Sequence, residues 1–190
     1  MDWIAKASLS AVLAMLMANP NFPAQASAPS ESQERQIAVC IKAASHGVVW
    51  LEQTLWGLRD QEAGWIGAEV LNTNGSHDLG PFQINSWWVP KIAKALGRGQ
   101  REVRHWLKFD PCFNAHAARW IFTSQLGEAR GYWDAVGAYH SPTPWRQRRY
   151  SRSVADHLGR RFGTTVFRSV QRGQSENFNS PLGSGKGREM

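Results

Sequence analysis

The stretch Leu58-Arg-Asp-Gln-Glu-Ala-Gly-Trp65, followed by Asn72-Thr-Asn-Gly-Ser-His-Asp-Leu-Gly-Pro-Phe-Gln-Ile-Asn85, decides the fold of this chain. The first part is typical of the end of an amphipathic helix. The second is typical of a polar, Gly-rich turn that leads back into a short extended run. Each part carries one carboxylate, Glu62 in the first and Asp78 in the second. We expect these two carboxylates to face one cleft.

The helical phase places Glu62 on the buried side of its helix. Leu51, Leu55 and Leu58 follow one another at i, i+4 and i+7, and Glu62 continues the series at i+11. Eleven residues make about three helical turns, so Glu62 lies on the core-facing stripe at the C-terminal end. Partial burial and the negative end of the helix dipole both favour the protonated carboxyl, which is the form that a general acid needs.

The rest of the pattern predicts a mostly α fold (α+β) with a small β-hairpin beside the cleft. The predicted domain covers residues 35–160, and a polar lead-in covers residues 27–34. Residues 107–112 are predicted to form a loop. The predicted helices run from about 35 to 46, 48 to 62, 87 to 96, 114 to 126, 131 to 139 and 145 to 158.

Residues 1–26 have the layout of a secretory signal peptide, with an apolar run over residues 7–18 and the A-x-A site Ala24-Gln-Ala26. The apolar run is too short to span a bilayer, and no later stretch is long or apolar enough. An uncleaved N-terminal anchor is the alternative. Residues 172–190 are rich in Gly, Ser, Asn and Arg, which predicts a disordered tail.

Composition limits the partners and the compartment. The chain has 190 residues, 42% of them hydrophobic, and a net charge of +7, which favours polyanionic partners. Its two cysteines, Cys40 and Cys112, are most simply one disulfide in an exported protein, and two buried thiols are the alternative. Such a disulfide closes a loop of roughly 70 residues and contributes about 4 kcal/mol. The cysteines and histidines have no metal-ligand spacing, so we predict neither a metal nor a cofactor.

Four motifs in order resemble the soluble lytic transglycosylase (SLT) family. They are Glu62-Ala-Gly64, Gly80-Pro-Phe-Gln-Ile-Asn85, Leu107-Lys-Phe-Asp-Pro-Cys112 and Ala135-Val-Gly-Ala-Tyr139. The chain is most similar to the small exported members that accompany conjugation, secretion and pilus systems. The resemblance runs from about residue 40 to 158. It implies a lysozyme-like fold, a periplasmic location, and peptidoglycan as the substrate.

The resemblance also implies roles for individual residues. Glu62 matches the single catalytic acid, which cleaves the β-1,4 bond between N-acetylmuramic acid and N-acetylglucosamine and leaves a 1,6-anhydro product. Gln83 matches a glutamine that lines the substrate groove, and Tyr139 matches a tyrosine whose hydroxyl orients the acid. Cys40 and Cys112 lie where the secretion-associated members carry a cysteine pair.

Gly80, Phe82 and Asn85 complete the predicted substrate-binding set, because they belong to the same motif as Gln83. The chain departs from the family pattern at three places. Ala63 stands where the family has Ser, Pro81-Phe82 replaces Leu-Met, and His140-Ser141 replaces Asn-Ala. The family pattern therefore supports the assignment of the catalytic acid more strongly than it supports the individual substrate contacts.

Residues 72–88 also resemble the active-site hairpin of animal-type lysozyme. In that resemblance Asp78 matches the carboxylate that stabilises or traps the glycosyl centre. The alternative for Asp78 is a turn residue that bonds its own backbone, which is common for Asp beside Gly.

Aromatic and basic residues give two further expectations. Ten tryptophans are too many for one small core, so Trp65, Trp87 and Trp88 are predicted to wall a groove, with core packing as the alternative. The last predicted helix carries a basic cluster: Arg146, Arg148, Arg149 and Arg152. This cluster is either a solvated face or a surface that attracts anionic wall polymer or membrane.

Three functional hypotheses follow. The first is a periplasmic lytic transglycosylase that opens the wall for an envelope-spanning secretion, conjugation or pilus apparatus, with no nucleic-acid partner. The second is a muramidase of the same fold that hydrolyses the bond with Glu62 and Asp78. The third is a non-catalytic accessory that binds cell wall or DNA.

Overall fold

Helices form most of residues 30–168, which are the part of the chain that the computed structural model describes. In chain order they are α1 (Glu31–Ser45), α2 (Val49–Glu62), α3 (Val89–Leu96), α4 (Gln100–Phe109), α5 (Pro111–Glu128), α6 (Tyr132–His140) and α7 (Pro144–Phe162). The predicted signal peptide and C-terminal tail lie outside the described residues. Within them, no helix has both the length and the apolar character needed to cross a bilayer.

A three-stranded antiparallel sheet follows α2. Its strands are β1 (Glu69–Leu71), β2 (His77–Leu79) and β3 (Ile84–Asn85), in the order β1-β2-β3. Asp78 in β2 is opposite Val70 on one side and Asn85 on the other. A one-turn 3-10 helix, Ser86–Trp88, joins β3 to α3. The prediction of a mostly α fold with a small β element is confirmed.

Helix α2 has the buried stripe that its periodicity predicts. Leu51, Leu55 and Leu58 are buried in the core, and Glu62 is the last residue of the helix. The helix ends there because Ala63 adopts the left-handed conformation (φ 49°) and donates its backbone N–H to the carbonyl of Arg59. Glu62 therefore lies at the end of the buried stripe, where it is only partly buried.

The prediction of a loop over residues 107–112 is wrong. Helix α4 runs to Phe109, and α5 begins at Pro111. Only Asp110 lies between them, and its carboxylate caps α5 by accepting from the backbone N–H groups of Cys112 and Phe113, both at 2.9 Å. Helix α4 was not predicted because only Val103 and Leu107 are completely buried in it. Two apolar positions are too few to define a helical period in the sequence.

The disulfide prediction is confirmed. Cys40 of α1 and Cys112 of α5 form a disulfide whose Cα atoms lie 4.5 Å apart. The disulfide joins residues 72 positions apart in the sequence, and the two helices that it links, α1 and α5, pack against each other. Helix α1 also packs against α2, and α5 contacts both α2 and β3.

A buried asparagine holds the sheet to the helices. The amide nitrogen of Asn114 in α5 donates to the carbonyls of Leu79 (2.9 Å) and Leu107 (2.8 Å), and its oxygen accepts from the backbone N–H of Phe82 (2.8 Å). Gly80 passes close by with φ 68°, and a Cβ there would lie 2.1 Å from the carbonyl oxygen of Leu107. Asn114 and Gly80 together fix the segment between β2 and β3.

Replacing Asn114 by Ala is expected to lower the free energy of unfolding by about 3 kcal/mol. The change leaves a buried backbone N–H and two carbonyls without their partner, and each such loss costs about 1–3 kcal/mol before relaxation. Equilibrium unfolding in urea measures the effect. Ser124→Ala in the same helix removes a hydroxyl that bonds only the carbonyl of Trp120, and should change stability by less than about 0.5 kcal/mol. Equal effects of the two changes would contradict the role given to Asn114.

Candidate active site

Glu62 accepts a short hydrogen bond at the C-terminal end of α2. The hydroxyl of Tyr150, from α7, donates to its Oε1 at 2.5 Å. The side chain keeps some solvent access, but enough protein surrounds it that burial raises the pKa of Glu62 to about 7. The Tyr150 hydrogen bond acts in the opposite direction, and the negative charge of Asp78 raises the pKa further. Glu62 therefore exchanges a proton close to neutral pH.

Tyr150 is held in a stack of rings. Its side chain is 5% exposed, and the ring of His140 lies parallel to it with centroids 4.6 Å apart. Tyr139 stacks near it at 6.5 Å. Burial lowers the pKa of His140, while Asp78 raises it and Arg146 lowers it. The stack fixes the hydroxyl that bonds the carboxyl.

The structure differs from the prediction about which tyrosine contacts the acid. The hydroxyl of Tyr139 donates to the carbonyl of Phe82 at 3.3 Å, and the hydrogen bond to Glu62 comes from Tyr150. A sequence signal for Tyr150 exists. It begins a buried i, i+4, i+8 series with Val154 and Leu158 on α7, which packs against α2.

Asp78 lies in β2, so the turn-residue alternative is wrong. It is Asn74 that serves the turn, since its side-chain oxygen accepts from the backbone N–H of Ser76 at 3.0 Å. The carboxylate of Asp78 accepts from the side-chain amide of Asn85 at 3.0 Å and is partly exposed. Its negative charge raises the pKa of Glu62, so the two carboxylates are near enough to interact electrostatically.

The predicted substrate-binding residues divide into two groups. Phe82 is 0% exposed and Gly80 is buried, so both hold the backbone in place and offer no side chain to a ligand. Gln83 and Asn85 are partly exposed. The amide of Gln83 donates to the carbonyl of Gly80 at 2.8 Å, and a Cβ at Gly64 would lie 2.3 Å from that same carbonyl oxygen. The motif Glu62-Ala-Gly64 and the motif that begins at Gly80 therefore pack closely against each other at their backbones.

The tryptophans predicted to wall a groove have different surroundings. Trp87 is 69% exposed, whereas Trp65 and Trp88 are half-buried. Trp88 makes an edge-to-face contact with Trp120 at 5.8 Å between centroids. Trp87 is therefore the ring of this group that is most available to a ligand.

A cavity that the sequence did not predict opens next to Tyr150. Its volume is about 470 Å³, and its lining includes Gln61, His140, Trp145, Arg146, Arg149 and Tyr150. Arg146 and Arg149, two members of the predicted basic cluster, thus line the same cavity as Tyr150, the hydrogen-bond partner of Glu62. In residues 30–168 no group of His, Cys, Asp and Glu side chains is arranged to hold a metal ion.

Replacing Tyr150 by Phe is expected to raise the pKa of Glu62 above its value of about 7. The hydroxyl stabilises the charged carboxylate, so its loss favours the protonated form. If Glu62 acts as an acid, the alkaline limb of the pH–rate profile moves to higher pH. Tyr139→Phe is the matched control, because its hydroxyl bonds Phe82 instead. A profile shifted equally in both variants, or in neither, would contradict this assignment.

Comparison with curated proteins gives two related groups. Protein IpgF of Shigella flexneri is 28% identical over 110 residues, which are 57% of this chain and 68% of IpgF. Invasion protein IagB of Salmonella typhimurium is 32% identical over 108 residues, which are 54% of this chain and 64% of IagB. The chain thus spans slightly less than two thirds of IagB. No family model matches it. The chain is related to these proteins at about 30% identity.

Proposed function

We propose that this protein is an exported peptidoglycan lytic transglycosylase with Glu62 as its catalytic acid. The observation that carries the proposal is the Glu62 carboxyl itself, partly accessible, bonded by Tyr150 and with its pKa raised to about 7. A group that is half protonated near neutral pH can act first as an acid and then as a base. The order of the four sequence motifs supports the choice of substrate.

The proposed reaction uses one carboxyl group twice, first as an acid and then as a base. Protonated Glu62 donates its proton to the oxygen that links C1 of N-acetylmuramic acid to the next N-acetylglucosamine, and the C1–O bond breaks. The released sugar leaves with a hydroxyl, and positive charge develops at C1. The Glu62 carboxylate then takes the proton of the muramoyl C6 hydroxyl while O6 bonds to C1. The acid is restored, and no water is consumed.

Tyr150 and Asp78 have supporting roles in this proposal. Tyr150 orients the Glu62 carboxyl and stabilises its charged form after the first proton transfer. Burial raises the pKa of Glu62 and the charge of Asp78 adds to that effect, and the Asp78 carboxylate also stabilises the positive centre at C1. Asn85 holds Asp78 in position.

A muramidase is the second candidate, because Asp78 is partly exposed and its charge acts on Glu62. In that mechanism Asp78 traps or stabilises the glycosyl centre while water completes hydrolysis. The two candidates share a fold and differ in whether Asp78 is needed and in whether water enters the product.

Replacing Asp78 by Asn tests how far this second carboxylate is required. If Glu62 works as the single essential carboxyl, the rate should fall by about tenfold, through weaker electrostatic stabilisation alone. Release of soluble fragments from purified peptidoglycan measures the rate. Asp156→Asn, on an exposed position of α7, is the control and should leave the rate unchanged. A loss of about 1000-fold or more in Asp78→Asn would support the muramidase instead.

The third hypothesis, a non-catalytic accessory, is tested with the same material. Purified peptidoglycan incubated with the protein should release soluble fragments, whereas an accessory would sediment with the wall and release none.

We further propose that the enzyme opens the wall for an envelope-spanning apparatus. This rests on the resemblance and on the similarity to a protein named for invasion.

A further inference from the structure

The cavity beside Tyr150 is next to the candidate catalytic acid but separate from it. Gln61 precedes Glu62 in α2, and Tyr150 bonds the Glu62 carboxyl, so two lining residues belong to the acid's immediate surroundings. The remaining wall comes from the end of α6, at His140, and from the first turns of α7. Tyr150 thus links the wall of the cavity to the Glu62 carboxyl.

The cavity has a free positive charge. Arg146 and Arg149 are exposed, and neither forms an ion pair with any residue between 30 and 168. Other arginines of the protein are paired, among them Arg59 with Glu34 and Arg161 with Asp60. Guanidinium groups bind carboxylates with two parallel hydrogen bonds, so two unpaired guanidinium groups beside one cavity favour an anionic ligand.

The other lining groups suit a peptide. Trp145 is 55% exposed and offers a flat ring face, with the Arg146 guanidinium 5.3 Å from the ring centroid. Gln61 contributes to the wall of the cavity, and its buried side-chain oxygen has no hydrogen-bond partner among the described residues. A volume of about 470 Å³ is in the range of sites for small ligands.

We propose that this cavity binds the acidic peptide stem carried by N-acetylmuramic acid, with Arg146 and Arg149 on its carboxylates. The inference rests on the proposed function. The stem is attached to the same sugar whose C1 reacts, so it must leave the cleft close to Glu62. The carboxylates of the stem match the two guanidinium groups, and its peptide backbone can pack against the exposed ring of Trp145. The enzyme therefore distinguishes peptide-bearing strands from bare glycan.

The test compares cleavage of intact peptidoglycan strands with cleavage of strands from which an amidase has removed the peptides. The ratio of the two rates should be about tenfold lower in Arg146→Gln/Arg149→Gln than in the wild type, since each exposed ion pair contributes a few-fold. Arg148→Gln/Arg152→Gln is the matched control. It makes the same charge change on the same helix at residues that line a different cavity, and it should keep the wild-type ratio. Equal ratios in both double variants would overturn the inference.

A binding experiment separates this inference from the proposed catalysis. The tripeptide L-alanyl-γ-D-glutamyl-meso-diaminopimelate is titrated into Glu62→Gln protein, with and without the Arg146→Gln/Arg149→Gln change. About tenfold weaker binding with that change supports the inference even if the wild type cleaves nothing, in which case only the proposed function fails. Tripeptide binding that does not depend on the two arginines would overturn it. Equal affinity for inorganic phosphate would also overturn it, because the site would then bind anions without selecting peptide.

Discussion

Replacing Glu62 by Gln is expected to lower the rate of peptidoglycan cleavage by about 1000-fold. Proton transfer by a positioned side chain contributes about 10²–10⁴-fold, and in the proposed reaction Glu62 serves both steps. Gln keeps the shape of the side chain and can still accept the hydrogen bond from Tyr150, so the loss reports on the proton alone. Release of soluble fragments from purified peptidoglycan measures the rate.

Glu52→Gln is the matched control, since it removes the same charge from the first turn of the same helix.

A measurement of stability shows whether the Glu62→Gln protein remains folded. The pKa of Glu62 is raised from 4.5 to about 7 in the folded protein, so its protonated form favours folding at low pH and this contribution is lost as pH rises through about 7. At pH 8 the Glu62→Gln protein should thus be at least as stable as the wild type. Peptidoglycan cleavage by a folded Glu62→Gln protein within about tenfold of the wild-type rate would contradict the assignment of Glu62 as the catalytic acid.

Removal of the disulfide is expected to lower the free energy of unfolding by about 4 kcal/mol. The bond between Cys40 and Cys112 closes a loop across 72 positions, and in the chain-entropy model most of its effect comes from restricting the unfolded chain. Unfolding in guanidinium chloride, with Cys40→Ala/Cys112→Ala against the wild type, measures the difference.

A reductant provides the internal control for that experiment. It should destabilise the wild type by a similar amount and leave the double variant unchanged, because the cysteines that the structure describes are both in this bond. A difference below about 1 kcal/mol between wild type and variant would show that the disulfide contributes little, despite the packing of α1 against α5 that it joins.

The position of Glu62 could be predicted because it follows from local periodicity. Leu51, Leu55 and Leu58 define a stripe within one helix, and Glu62 continues it without any knowledge of the tertiary fold. The partner of Glu62 could not be assigned in the same way. Tyr150 lies 88 positions further along the chain, and only the packing of α2 against α7 brings the two together. The family resemblance selected Tyr139, whose ring stacks on that of Tyr150 but whose hydroxyl bonds elsewhere.

Helix α4 and the roles of the substrate-binding residues also could not be predicted from local periodicity. Helix α4 has two fully buried positions, Val103 and Leu107, and its ion pairs to Glu69 in β1 depend on the fold. Phe82 belongs to a motif predicted to bind substrate, yet its side chain is completely buried. A motif in sequence does not say which of its members support the backbone and which reach the cleft. The cavity lined by Arg146 and Arg149 likewise depends on where α6 ends against α7.

Cleavage of purified peptidoglycan in water enriched with oxygen-18 tests the central claim most directly. Mass spectrometry of the soluble products should find 1,6-anhydromuramoyl ends that contain no oxygen-18, because O6 of the same sugar closes the ring at C1. The Glu62→Gln protein should release almost none of these products. Reducing muramoyl ends labelled with oxygen-18 would contradict the claim, since they would show that water attacks C1 and that the protein is a hydrolase.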